Sequence, residues 1–329
     1  MPHAWHSEQA WLQLMQRQAA DVVREISGAE RSWWDEREIE RAEQGADGQA
    51  WNDGRLALSD DVVGWLIELR ENNGPANASA LDLRCWAYAL SVVVHENVHL
   101  LGPLNGAYSE MRLDLEQPSS RFVEEGLTVL WTKEILPVFM TRIGVERNAP
   151  GIVQAIPDVG IGHHWEVYPS FMTGTRALLN EVASRTACQY RELLRQLAIE
   201  TPARKFPILA QRIYTASGLE QQIPGVHRAH AIREIEGTMR RELNDHRDLL
   251  QMEATGAWDD VAEVGEARGV DAAWAASERT RALATEYSTR SGRARFAPIA
   301  QRRTKGLAPR THEQADRRHD PSVKSGVSR

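Results

Sequence analysis

The sequence predicts a mainly α protein, a helical bundle with a small β-sheet, and three observations carry that prediction. Apolar residues recur at helical spacing through most of the chain. One long stretch, ALDLRCWAYALSVVVHENVHLLGP, runs without Gly or Pro until Gly102-Pro103. A single short run, Arg55 to Ser59 (RLALS), alternates as a strand does.

The elements come in order along the chain. Residues 7 to 46 carry apolar positions at helical spacing and form an N-terminal helical element, closed by the turn-prone stretch EQGADGQAWNDG. After the RLALS strand, SDDVVGWLIELR has an N-cap Ser/Asp pattern and an amphipathic helix, which ENNGPANAS breaks. The long helix comes next, capped by Asn77 or Ser79. A polar loop, NGAYSEMRLDLEQPSS, leads to a second amphipathic helix, RFVEEGLTVLWTKEIL, and beyond Pro137 a Gly/Pro-punctuated connection is expected. YPSFMTGTRALLNEVASRTACQYRELLRQLAI then reads as helix, with further helical patterns at about 206–216, 227–256 and 268–287. The expected domains are a helical element over 1–50, a core over 51–200, a helical region over 201–287 and a basic tail over 288–329.

Composition bounds the function. The 329 residues are 42% hydrophobic, enough for a sizeable core, and no apolar run is long enough to cross a membrane. The N-terminus lacks the basic-then-apolar pattern of a secretory signal, so a soluble, cytoplasmic protein is the expectation. Cys85 and Cys188 are far apart and fit neither a disulfide scaffold nor a thiolate metal site. The net charge of -7 is unevenly spread: from Ser288 onward the chain is basic, polar and poor in large apolar groups, which predicts disorder. No nucleic-acid-binding motif accompanies that tail, and no nucleic-acid partner is expected. The four lysines against thirty-five arginines reflect genomic composition, and the eleven tryptophans are spaced mostly as core or helix-face residues. No phosphate-cradling Gly-rich loop, Gly-x-Ser-x-Gly elbow or Cys/His nucleophile pair is present.

The long helix carries His95, Glu96 and His99 in the order His-Glu-x-x-His. Residues four apart share a helix face, so His95 and His99 can place two ring nitrogens on one zinc ion. Glu96, rotated off that pair, reaches a water on the ion rather than the ion itself. Zinc brings such a water close to neutral pKa, and the carboxylate accepts its proton as it attacks a carbonyl. With eleven histidines in the chain the pentapeptide alone is only suggestive, so context decides. The motif sits on an uninterrupted helix among apolar residues, where two imidazoles and a carboxylate without a metal would cost several kcal/mol unless all were paired. A third protein ligand is then required.

About twenty-five residues further on, a second helix contains Phe-Val-Glu-Glu-Gly-Leu-Thr, Phe122 to Thr128. His-Glu-x-x-His followed by Glu-Gly-Leu-Thr resembles the gluzincin group of zinc metallopeptidases, over roughly residues 55 to 135. The resemblance implies a zincin-like α+β core with its small sheet beside the active-site helix, zinc held by His95, His99 and Glu125, Glu96 as general base, and a peptide or protein substrate. Glu124 and Glu125 lie about 100° apart on a helix, so only one can face the ion. The Glu-Gly phrase points to Glu125. Members of the group often carry an acidic or hydroxyl residue four after the ligand to orient a zinc histidine; Val129 occupies that place, whereas Thr128 is four after Glu124, so the register stays open. An oxyanion stabiliser is also expected, with Tyr168 the first candidate, then His163 and His164, then His227 and His230. The rival reading is a non-catalytic helical interaction or structural protein that keeps a zincin-like core.

Overall fold

The computed structural model describes residues 2–51, 53–72, 78–102, 117–155, 169–244 and 258–296. Met1–Tyr287 form one compact unit and Ser288–Arg329 a second. The described residues hold nine α-helices: α1 (Pro2–Ser27), α2 (Asp60–Glu71), α3 (Ala80–His99), α4 (Pro118–Ile143), α5 (Pro169–Arg185), α6 (Tyr190–Ala198), α7 (Pro202–Ala216), α8 (Gly225–Asn244) and α9 (Trp258–Phe296). Three short strands, β1 (Glu40–Arg41), β2 (Gly48–Ala50) and β3 (Leu56–Leu58), complete them. The molecule is thus mainly helical with a small sheet, as its apolar spacing predicts. No helix among the described residues is long and apolar enough to cross a membrane.

Helix α3 packs against α1, α2, α4 and β2. Its start is set by a capping box, in which the Asp82 amide donates to Ser79 Oγ (3.1 Å) and the Ser79 amide to Asp82 Oδ2 (2.8 Å). Neighbours on several sides bury Trp86, Leu90, Val93, Val94 and Val98 together with the polar Glu96 and Asn97. Asn97 is satisfied locally and across the interface: its amide donates to the Val93 carbonyl (2.7 Å), and Gln16 of α1 donates to its oxygen (2.9 Å). Trp131 of α4 donates to Ser27 Oγ at the end of α1 (2.7 Å).

The sheet has the order β1-β3-β2, with β1 parallel and β2 antiparallel to the fully buried β3. Sequence periodicity identifies β3 alone. It also extends the N-terminal helix to residue 46, whereas α1 stops at Ser27 and Gly28 turns the chain with φ +70°. Beyond that turn the chain is extended because tertiary partners hold it there. Gln9 brackets Ile39 by accepting from its amide (3.3 Å) and donating to its carbonyl (3.0 Å), and Trp33 donates to the Leu100 carbonyl (2.9 Å).

Other boundaries also move. Helix α4 continues through Pro137 to Ile143, where Gly144 closes it in the left-handed region (φ 68°). The segment from Tyr168 to Ile199, read as one helix, contains a break after Arg185, with Ala187 at φ 50° and no Gly or Pro to announce it. Helix α9 runs on to Phe296, so the first residues of the tail expected to be disordered are helical; 297–329 lie outside the described residues, as do 245–256 of the expected 227–256 helix.

Glycines set the closest helix contacts. A Cβ on Gly126 of α4 would fall 2.1 Å from the Phe171 carbonyl oxygen of α5, and one on Gly269 of α9 would fall 2.0 Å from that of Gly174. Gly64 of α2, by contrast, faces open space. Gly126→Ala is therefore expected to destabilise the fold by about 1–3 kcal/mol through overpacking, while Gly64→Ala stabilises it by about 0.4–1 kcal/mol. Urea denaturation of the two variants beside the wild type checks both signs.

Candidate metal centre

Near the C-terminal end of α3, His95 and His99 face the same side as Glu125 of α4. Their donor atoms form a small triangle: the two Nε2 atoms are 3.2 Å apart, and Glu125 Oε2 lies 3.6 Å from each. The imidazoles meet edge to face, with centroids 4.8 Å apart and planes at 78°. All three residues are half-buried, and as a group they could hold a metal ion.

The other ring nitrogen of His99 is engaged as well. Nδ1 lies 3.2 Å from Glu124 Oε1 and 3.5 Å from Thr128 Oγ1. With a carboxylate facing it, Nδ1 is the nitrogen placed to keep the hydrogen when the ring is neutral, which would leave the Nε2 lone pair for an ion. The adjacent glutamates thus serve different nitrogens of one imidazole. Thr128, one turn along α4 from Glu124, joins it on the Nδ1 side, and Val129 is a helix neighbour with no part in the group.

Glu124 is itself held from behind. Its second oxygen accepts a short charge-assisted hydrogen bond from Lys205 Nζ, which reaches in from the first turns of α7 and is almost wholly buried. Burial opposes ionisation of Glu124, yet Lys205 and His99 outweigh it and hold the carboxyl below its usual range. Burial likewise opposes the charge on Glu125, but the two histidines pull its carboxyl far down. His99 is pushed well above the usual imidazole range because Glu125 and Glu124 outweigh its burial.

Glu96 is buried and turned toward the sheet, its carboxylate lying against Gly48 of β2. A Cβ on Gly48 would lie 2.7 Å from Glu96 Oε1 and 2.7 Å from Val92 Cγ1, so only glycine lets β2 pass this close to α3. Asp47, just before β2, fixes the strand there by accepting from the Tyr88 hydroxyl of α3 and, through its main-chain carbonyl, from the Ser59 amide (2.9 Å). Burial pushes the Glu96 carboxyl above its usual range, although the nearby histidines oppose the shift.

The structure therefore brings together His95, His99 and Glu125, with Glu96 next to them on α3. Tyr168, His163 and His164 lie outside the described residues. His227 and His230 are exposed on α8, the first against the ring of Tyr287 (5.5 Å) and the second 4.0 Å from Glu234; neither belongs to the group. Sequence reasoning missed Lys205 and β2. The only trace of Lys205 in the sequence is that it is one of four lysines in a chain of thirty-five arginines.

No protein-family profile, no curated protein and no solved structure matches this chain.

Metal analysis checks the arrangement directly. About one divalent ion per wild-type chain is expected, lost in His99→Ala and in Glu125→Ala. Glu124→Ala should keep the ion with affinity lowered about 10–100-fold, because it removes the group that orients His99 rather than a ligand. Metal-to-protein ratios by mass spectrometry, followed by chelator titration, measure both effects.

Proposed function

We propose that the protein is a zinc-dependent hydrolase of the gluzincin type that cleaves peptide bonds. The observation that carries this reading is the donor triangle with a buried carboxylate beside it. Zinc with four ligands at about 2.0–2.1 Å in a tetrahedron has neighbouring donor atoms about 3.3 Å apart, and the observed separations are 3.2, 3.6 and 3.6 Å. Two imidazoles and one carboxylate leave the fourth position to water or substrate, the ligand set of a catalytic rather than a structural zinc.

When bound, the ion supplies Lewis acidity that makes water a nucleophile near neutral pH and polarises the scissile carbonyl. The chain's own residues do the remainder. His95, His99 and Glu125 hold the ion, and Glu124 with Thr128 keeps the His99 ring in its binding tautomer. Glu96 takes a proton from the attacking water and passes it to the leaving amine. Peptide bonds are the substrate class because the His-Glu-x-x-His and Glu-Gly spacing resembles that of peptidases.

Glu96→Gln separates this reading from a metal-binding structural protein. The variant should retain its zinc and lose peptide-library cleavage by about 10²–10⁴-fold; a wild type that binds zinc and cleaves nothing would favour the structural reading. The same substitution has a stability signature in the metal-free protein. A carboxyl whose folded pKa is raised binds its proton more tightly when folded, so its contribution makes stability fall as pH rises above the usual carboxylate pKa. Glu96→Gln removes that contribution, and its melting temperature relative to wild type should rise from pH 4 to pH 7.

A further inference from the structure

We infer that Lys205 is a positioning residue of the metal centre: acting through Glu124, it keeps that carboxylate on the Nδ1 side of His99 and off the ion, leaving Glu125 as the carboxylate ligand. The inference rests on the metal reading above and adds to it the choice between two adjacent acids.

Three observations support it. The first is the division of the Glu124 carboxylate: Oε1 is on His99 Nδ1 at 3.2 Å and Oε2 is on Lys205 Nζ, so both oxygens are engaged. A glutamate held at both oxygens cannot swing toward the triangle its neighbour completes. The second is the cost of the lysine. Lys205 is 2% exposed, and a buried ammonium is tolerated only when paired. Among the described residues the other lysine, Lys133, is exposed on α4. Where the cation is enclosed and must meet one carboxylate oxygen, the compact ammonium appears instead of the broad guanidinium fork. The third is how α7 is seated. A Cβ on Gly102, just beyond α3, would lie 3.3 Å from the Glu200 carbonyl oxygen, so the end of the motif helix abuts the start of the helix that carries Lys205. Thr201, Pro202 and Phe206 around that start are buried, which holds the lysine at a fixed distance from the centre.

The test is the zinc affinity of the full chain, by competition with a chromophoric chelator, for wild type, K205M, E124Q and the double variant K205M/E124Q. Cobalt absorption spectra report the ligand set, and circular dichroism reports the fold. K205M should bind zinc about 10–100-fold more weakly and shift the cobalt ligand-field bands as the released Glu124 disturbs the coordination. E124Q and K205M/E124Q should agree within about twofold, since Lys205 has nothing to act through once the carboxylate charge is gone. If K205M does not fold, that second comparison decides alone: the double variant leaves no unpaired buried charge, and in E124Q the glutamine side-chain oxygen can still accept from Lys205. K205M with wild-type affinity and unchanged bands, or a double variant about tenfold weaker than E124Q, overturns the inference while the wild type still binds zinc. A wild type that takes up no zinc overturns the metal reading itself.

Discussion

The centre depends on His99 being held at both ring nitrogens. An imidazole offers one lone pair and one N–H when neutral, and which nitrogen carries the hydrogen is decided by its partners. Here Glu124 and Thr128 face Nδ1, while His95 and Glu125 face Nε2. Glu124 can serve Nδ1 because Lys205 offsets the cost of burying its charge, and Glu125 can serve Nε2 because it sits just under a third of a turn further round the same helix. Each group's position is a condition for the next.

The surrounding fold supplies the close approaches this arrangement needs. Glu125 is delivered by α4, which is locked to α5 at Gly126, where the Phe171 carbonyl would strike any side chain. The Glu-Gly phrase thus has a packing cause as well as a chemical one. Gly48 does the same for β2: without a side chain there, the strand passes directly against Val92 and Glu96 of α3. Three tryptophans illustrate how little aromatic content bears on the site itself: Trp34, Trp86 and Trp131 are buried in the core.

Much of the centre is legible in the sequence because its signals are local. His95, Glu96 and His99 are placed by helical periodicity alone, and the capped, uninterrupted stretch around them defines the helix. Spacing does not choose between Glu124 and Glu125, since the rule that looks four residues past the ligand finds Val129. The structure puts a carboxylate on His99 Nδ1 directly beside the candidate ligand instead, with Thr128 as a second group. The N-terminal segment departs from its own periodicity for a related reason: apolar spacing continues past Ser27, but Gln9, Leu100 and β3 pull that chain into extended conformation.

By itself the sequence determined the helical class, the motif helix, the three histidine and glutamate side chains on it and the helix bearing the third candidate ligand, because each follows from i to i+4 geometry, caps and breakers within a few turns of chain. Tertiary structure decided the sheet, the partition of two neighbouring glutamates between the two nitrogens of His99, and the arrival of Lys205 from a helix eighty-one residues beyond Glu124. Those features are contacts between segments far apart in the chain, and no local periodicity encodes which distant side chain will neutralise a buried charge.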